Sequence, residues 1–183
     1  MRAAAVLALA ALASANTRLR ITNGCDEAMW IAHEADGGAG PDAQNVPLAP
    51  GEAFNFTITD GLSSTRYWPK LGCDAEGNAC ALGESGGPSE TCGADGCAPP
   101  VDSKFEATWG VVGEKCDPAS GWSIGCDWFD VSLVDGYTLP YTLRISDADQ
   151  CSGNVSLIDC SQLSLDDCPT SEDLGAAGTA DLR

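Results

Sequence analysis

Residues 128–141 read WFDVSLVDGYTLPY, and the reading of this stretch decides the fold. Phe129, Val131 and Leu133 alternate with Trp128, Asp130 and Ser132, the period-two pattern of a strand with one buried face. Asp135-Gly136 then supplies turn chemistry, because glycine accepts the positive φ of a tight turn. Pro140 keeps the outgoing segment extended. Asp130 lies on the face opposite the apolar triplet, and strict alternation puts Asp135 on the other face. The two carboxylates meet on one surface only if the strand ends or bends near Val134.

Other stretches have the same short-strand character. RLRITN (18–23) predicts a strand with Leu19 and Ile21 inward, and Met29–Ala32 predicts a second. AFNFTI (53–58) predicts a third, with Phe54, Phe56 and Ile58 sharing one face while Asn55 and Thr57 point outward. Residues 104–109 and 141–145 predict two more. The Gly/Pro-rich segment 36–51 reads as loop and turn. No long helical period and no internal repeat is visible, so the fold class expected is all-β with antiparallel strands.

The first 15 residues, MRAAAVLALAALASA, combine one positive charge, a short apolar run and an Ala13-Ser14-Ala15 ending. They read as a secretory signal, too short to span a bilayer, which predicts a secreted, extracellular product without membrane insertion. All ten cysteines lie beyond it, and an even count in a secreted chain predicts a disulfide framework. Zinc is the competing reading, but the spacings lack CxxC pairs and His33 is the single histidine. A formal net charge of −18 argues against phosphate backbones and anionic membranes as partners. No phosphate loop, nucleophile elbow, HExxH or D-x-D-x-D-G run is present, so neither cofactor nor metal is expected. His33 reads as a surface or satisfied side chain. Asn55-Phe56-Thr57 and Asn154-Val155-Ser156 are glycosylation sequons.

The run FDVSLVDGYTLP resembles the central strand of the thaumatin-like (pathogenesis-related, osmotin-like) family, which reads close to DFYDVSLVDGFNLP. The resemblance extends to the opening I-x-N-x-C strand, to TRYWPKLGC (65–73) beside the family's GRIWARTGC-like segment, and to CSGNVSLIDCSQLSLDDCP (151–169). It implies a thaumatin-like β-sandwich over 16–147 and a shortened disulfide-rich second lobe over 148–183. It also implies pairing of Cys73 with Cys80 and of Cys92 with Cys97. Residues 113–127 depart from the family, and Cys116 and Cys126 are expected to close this insertion on itself. Cys25, Cys151, Cys160 and Cys168 are left with their pairing open.

In that family one arginine, one glutamate and three aspartates line a cleft tied to β-1,3-glucan binding. The resemblance carries the arginine onto Arg66 and two aspartates onto Asp130 and Asp135. The glutamate falls on Lys104, a departure that removes the most plausible general acid; Glu106, two residues on, shares its strand face. Function by resemblance is therefore carbohydrate binding of the β-1,3-glucan type by a secreted monomer. Carboxylates accept from vicinal hydroxyls and Arg66 donates to sugar oxygens, with Trp68, Trp128 and Tyr137 as stacking candidates. The plain alternative for Trp68 and Trp128 is core packing, and for Arg66 an ion pair with Asp130 that pins neighbouring strands. Two further readings stay open: an endo-β-1,3-glucanase using Glu106, Asp130 or Asp135, and a disulfide-stabilised protein-interaction module.

Overall fold

A computed structural model describes residues 17–36, 38–84, 86–87, 102–121, 123–146, 155–164 and 167. The candidate signal, Cys92, Cys97, Cys151, Cys168 and the Asn154 sequon lie outside these residues. Among the described residues nine strands are formed: β1 (Leu19–Thr22), β2 (Met29–Glu34), β3 (Val46–Leu48), β4 (Ala53–Phe56), β5 (Thr65–Lys70), β6 (Lys104–Thr108), β7 (Trp128–Ser132), β8 (Thr142–Arg144) and β9 (Leu157–Asp159). They assemble into a five-stranded antiparallel sheet of order β3-β2-β5-β6-β7 and two-stranded sheets β1-β4 and β8-β9. The fold is all-β, with a 3-10 turn at Pro118–Ser120.

Alternation decides which side of the large sheet is core. Met29, Ile31, Tyr67 and Ala107 face β1 and β4, whose Leu19 and Phe56 are directly paired and complete the buried cluster with Trp109. Phe56 meets Tyr67 edge-on at 4.9 Å, and His33 stacks on Tyr67 at 5.9 Å between ring centres. Each such side chain contributes about 1.5–3 kcal/mol by leaving water. His33 is thereby a core residue, with its Nε2 hydrogen-bonded to the Ala43 carbonyl at 2.9 Å.

Two expectations fail here, for physical reasons. The 36–51 segment contains strand β3, which tolerates Pro47 because it is an edge strand with only β2 beside it. Phe129 and Leu133, expected inward, are 37% and 38% exposed. β7 is the opposite edge of the sheet, and the two-stranded layer is too narrow to cover it.

Cys73–Cys80 and Cys116–Cys126 are disulfide-bonded. The second closes the 113–127 insertion, which Arg18 clamps to the start of β1. Its guanidinium donates to the Gly110 carbonyl at 3.0 Å, pairs with Asp127 and lies 5.4 Å above the Trp109 ring.

Burial pushes the Tyr67 hydroxyl up to about 12, with the Asp42 charge adding to the rise and a hydrogen bond with Thr65 opposing it. Tyr137 is raised by burial and then by Asp167, and Tyr141 by burial and then by Cys160. These are the three tyrosines of the chain. The folded state thus prefers neutral phenols, a preference fully present below pH 10 and lost as pH rises from 10 towards 12. Absorbance titration at 295 nm is expected to show tyrosinate formation displaced to higher pH in the folded protein than in urea. A normal step in the folded protein contradicts this.

Candidate functional site

β5 carries Arg66 outward, on the face opposite the core, because Thr65 and Tyr67 point inward. The strand registers then line up four charged residues in one rung. Glu34 of β2 is opposite Arg66, Arg66 is opposite Glu106 of β6, and Glu106 is opposite Asp130 of β7. Residues directly paired across antiparallel strands hold their Cβ atoms about 4.5–5.5 Å apart, so neighbouring side chains interact. Arg66 donates from Nη1 to Glu34 Oε1 and from Nε to Glu106 Oε1, both at 2.9 Å. Its side chain keeps half of its exposure, so the pair sits on an open surface rather than in the interior. Three carboxylates against one guanidinium leave the rung acidic.

Around this rung lies a groove of about 410 Å³, bounded by Arg66, Glu106 and Asp130, by Ser64 and Thr108, and by the Trp128 ring. Thr108 Oγ1 accepts from the Ser64 amide at 3.2 Å, which ties the turn before β5 to β6 at the end of the groove.

Arg66 is therefore not paired with Asp130. β6 stands between their strands, and two inter-strand spacings of about 4.8 Å separate them. Asp135 does reach the same side of the sheet. β7 ends at Ser132, Val134 is 92% exposed, and the turning chain brings the Asp135 carboxylate onto Lys104 Nζ. Lys104 shares its face with Glu106 but is buried, and its ion pair takes Asp135 out of the groove. The lysine in place of a glutamate thus has a local counter-charge, while the groove's carboxylate comes from Glu106.

The aromatic candidates separate cleanly. Trp68 is buried and donates its indole N–H to the Gly83 carbonyl at 3.0 Å, so it serves packing. Tyr137 donates its hydroxyl to the Leu163 carbonyl at 2.7 Å and ties the central stretch to the C-terminal segment. Only Trp128 lines the groove. Asn55 is exposed on β4, opposite Arg20. Glu34 escaped the sequence reading because β2 was expected to stop at Ala32. Extending the alternation of Trp30 and Ala32 by two residues reaches it.

No cluster of three or more His, Cys, Asp and Glu side chains suited to a metal occurs among the described residues. Glu106 and Asp130 rise from the same face of adjacent strands. They would approach a bound sugar from one side, whereas glycoside hydrolysis uses two carboxyl groups flanking the bond, at about 5–5.5 Å or 6.5–9.5 Å. The arrangement suits hydrogen bonding to hydroxyls better than acid–base cleavage.

The chain is 28% identical over 160 residues to thaumatin-like protein 1 of Pyrus pyrifolia, covering 81% of this chain and 60% of that one. It is 32% identical over 133 residues to pathogenesis-related protein 5 of Arabidopsis thaliana, covering 71% and 49%. It thus spans between half and three fifths of the length of these relatives. The structure of the thaumatin-like xylanase inhibitor matches with a TM-score of 0.47 at 21% identity, covering 78% of this chain and 91% of that one. The thaumatin family profile matches residues 23–180, a span that holds Arg66, Glu106 and Asp130 of the groove, and the chain belongs to the thaumatin family.

Proposed function

We propose that the protein is secreted and binds cell-wall or storage carbohydrate of the β-1,3-glucan type through the groove lined by Arg66, Glu106 and Asp130, in a defence-related role. The observation that carries the reading is the open four-strand rung, in which carboxylates and a half-exposed guanidinium line a groove beside Trp128. Vicinal hydroxyls donate to carboxylates, and Arg66 retains exposure for a sugar oxygen. Asp135, neutralised by Lys104, acts as support for the neighbouring turn rather than as a sugar ligand. The exposed Asn55 sequon is read as carrying an N-glycan, detectable as a mass shift on enzymatic deglycosylation.

The test is co-sedimentation with insoluble β-1,3-glucan, with cellulose and chitin as controls. Glu106→Gln/Asp130→Asn is expected to weaken retention about 10- to 100-fold, the range of one or two hydrogen bonds to charged groups. Its unfolding midpoint should stay close to that of the unaltered chain, since all these side chains are on the surface. Folded protein that fails to sediment with the glucan contradicts the reading. Release of reducing ends, abolished by Glu106→Gln, would instead favour an endo-β-1,3-glucanase. That second reading draws on the direct pairing of Glu106 with Asp130.

A further inference from the structure

Two thiols stand apart among the described residues, whose other four cysteines form disulfides. Cys25 and Cys160 are the cysteines that remain unpaired among the described residues, and both are half-buried. They belong to distant parts of the sequence, yet Cys25 lines one cavity and the residue after Cys160, Ser161, lines the same one. A groove of about 640 Å³ runs between the sandwich and the segment leading into β8, with Cys25, Ile21 and Phe105 on one wall and Leu139, Tyr141 and Ser161 on the other. Cys25 packs against the apolar core. Cys160 immediately precedes Ser161 and donates its amide to the Tyr141 carbonyl at 2.9 Å, which seats it at the opposite wall.

The wall bearing Cys160 is the more lightly held. Among the described residues the β8-β9 hairpin forms its own two-stranded sheet and pairs with no strand of the sandwich. It follows a strand-free connection, residues 133–141, in which Ser103 and Thr138 exchange amide-to-hydroxyl hydrogen bonds. The Tyr137 hydroxyl bond to Leu163 anchors its far end. A two-stranded hairpin alone is marginal in water, so a covalent tie to the sandwich would stabilise such an element.

We propose that Cys25 and Cys160 form a disulfide that straps the C-terminal hairpin to the first strand region and closes this groove. Closure brings the two Cα atoms to within about 4.4–6.8 Å, the range a disulfide spans. The hairpin wall makes that approach, since the Cys25 side is fixed by core packing. The step needs a disulfide oxidant, and glutathione disulfide is the chemical class named. One cysteine thiolate attacks it and releases one glutathione thiolate. The second cysteine thiolate attacks the protein sulfur of the mixed disulfide and releases another. Two protein thiols thus become one disulfide, and two electrons and two protons leave in two molecules of glutathione.

The test is peptide mapping of the full chain after oxidative folding in a glutathione buffer. Free thiols are alkylated under denaturing, non-reducing conditions before proteolysis. The expected result is a linked pair of peptides holding Cys25 and Cys160, with alkylation of either below a tenth. Cys25→Ser should make Cys160 fully alkylatable, and Cys25→Ser/Cys160→Ser should expose no new thiol at Cys151 or Cys168. Because alkylation is done on unfolded protein, loss of stability in the variants does not obscure the count. Linkage of either residue to Cys151 or Cys168, or full alkylation of both in the unaltered chain, overturns the proposal.

Discussion

Asn23→Ala is expected to destabilise the fold by about 3 kcal/mol, the cost of leaving several buried polar groups without partners. Asn23 is fully buried. Its Nδ2 donates to the carbonyls of Glu27 at 2.8 Å and Leu48 at 3.0 Å, and its Oδ1 accepts from the Cys25 amide at 2.8 Å. Its backbone is bonded to Glu52 and Gly51. One side chain thus joins the end of β1, the turn into β2 and the end of β3. For a chain of 183 residues the loss corresponds to a drop in Tm of about 6–12 °C. Asn23→Asp is expected to be no milder, since a carboxylate would face two carbonyls with no water to screen it. Thermal and urea unfolding followed by circular dichroism measure both. A change below about 0.5 kcal/mol for the alanine variant would mean that water replaces the amide, and that the motif asparagine is not the fastener described.

Gly83→Ala is expected to cost 3 kcal/mol or more, by a mechanism that can be isolated (about 1–3 kcal/mol from strain alone). A Cβ at position 83 would lie 2.3 Å from the Pro69 carbonyl oxygen and 2.9 Å from the Lys70 Cα, both backbone atoms of the central strand. Its φ of +82° also disfavours any side chain. The turn must therefore lift away, and the buried Trp68 indole N–H loses the Gly83 carbonyl that receives it. Gly51→Ala separates the two effects. Its φ is +76°, but nothing lies within 4 Å of the added Cβ. It should cost about 1 kcal/mol from backbone strain alone. Equal losses at the two positions would show that close approach to β5 contributes nothing. Near-ultraviolet circular dichroism should register the Trp68 change for Gly83→Ala only.

The sequence and the structure agree most closely where the information is local. The alternation in LRIT, AFNF and WFDVS marks β1, β4 and β7, and these strands form where the pattern runs. The Asp135-Gly136 turn ends β7 in time for Asp135 to return to the side of Asp130, the condition under which both carboxylates share a surface. Where burial had to be judged, local reading fell short. The pattern Phe129-Val131-Leu133 is that of a covered strand, yet β7 is an edge whose neighbouring layer ends before it. The pattern cannot reveal that, because the width of the second layer depends on other parts of the chain. The motif asparagine was legible as part of a family signature, but its hydrogen bond to the Leu48 carbonyl follows from the approach of a residue 25 positions away.

The chain by itself determined short antiparallel strands, a disulfide-built loop structure and the family's acidic strand and turn, because these depend on side-chain period, turn chemistry and cysteine spacing. Only the tertiary structure decided which charges meet. Arg66 and Glu106 are 40 residues apart and Glu34 is 32 from Arg66, and nothing local relates them. Their alignment is a matter of register, and a slip of one residue would turn every one of these side chains to the opposite face. Packing of Tyr67, Phe105 and Ile31 against β1 and β4 holds the register that lines up Glu34, Arg66, Glu106 and Asp130 in one rung, and it leaves Lys104 beside Asp135 instead.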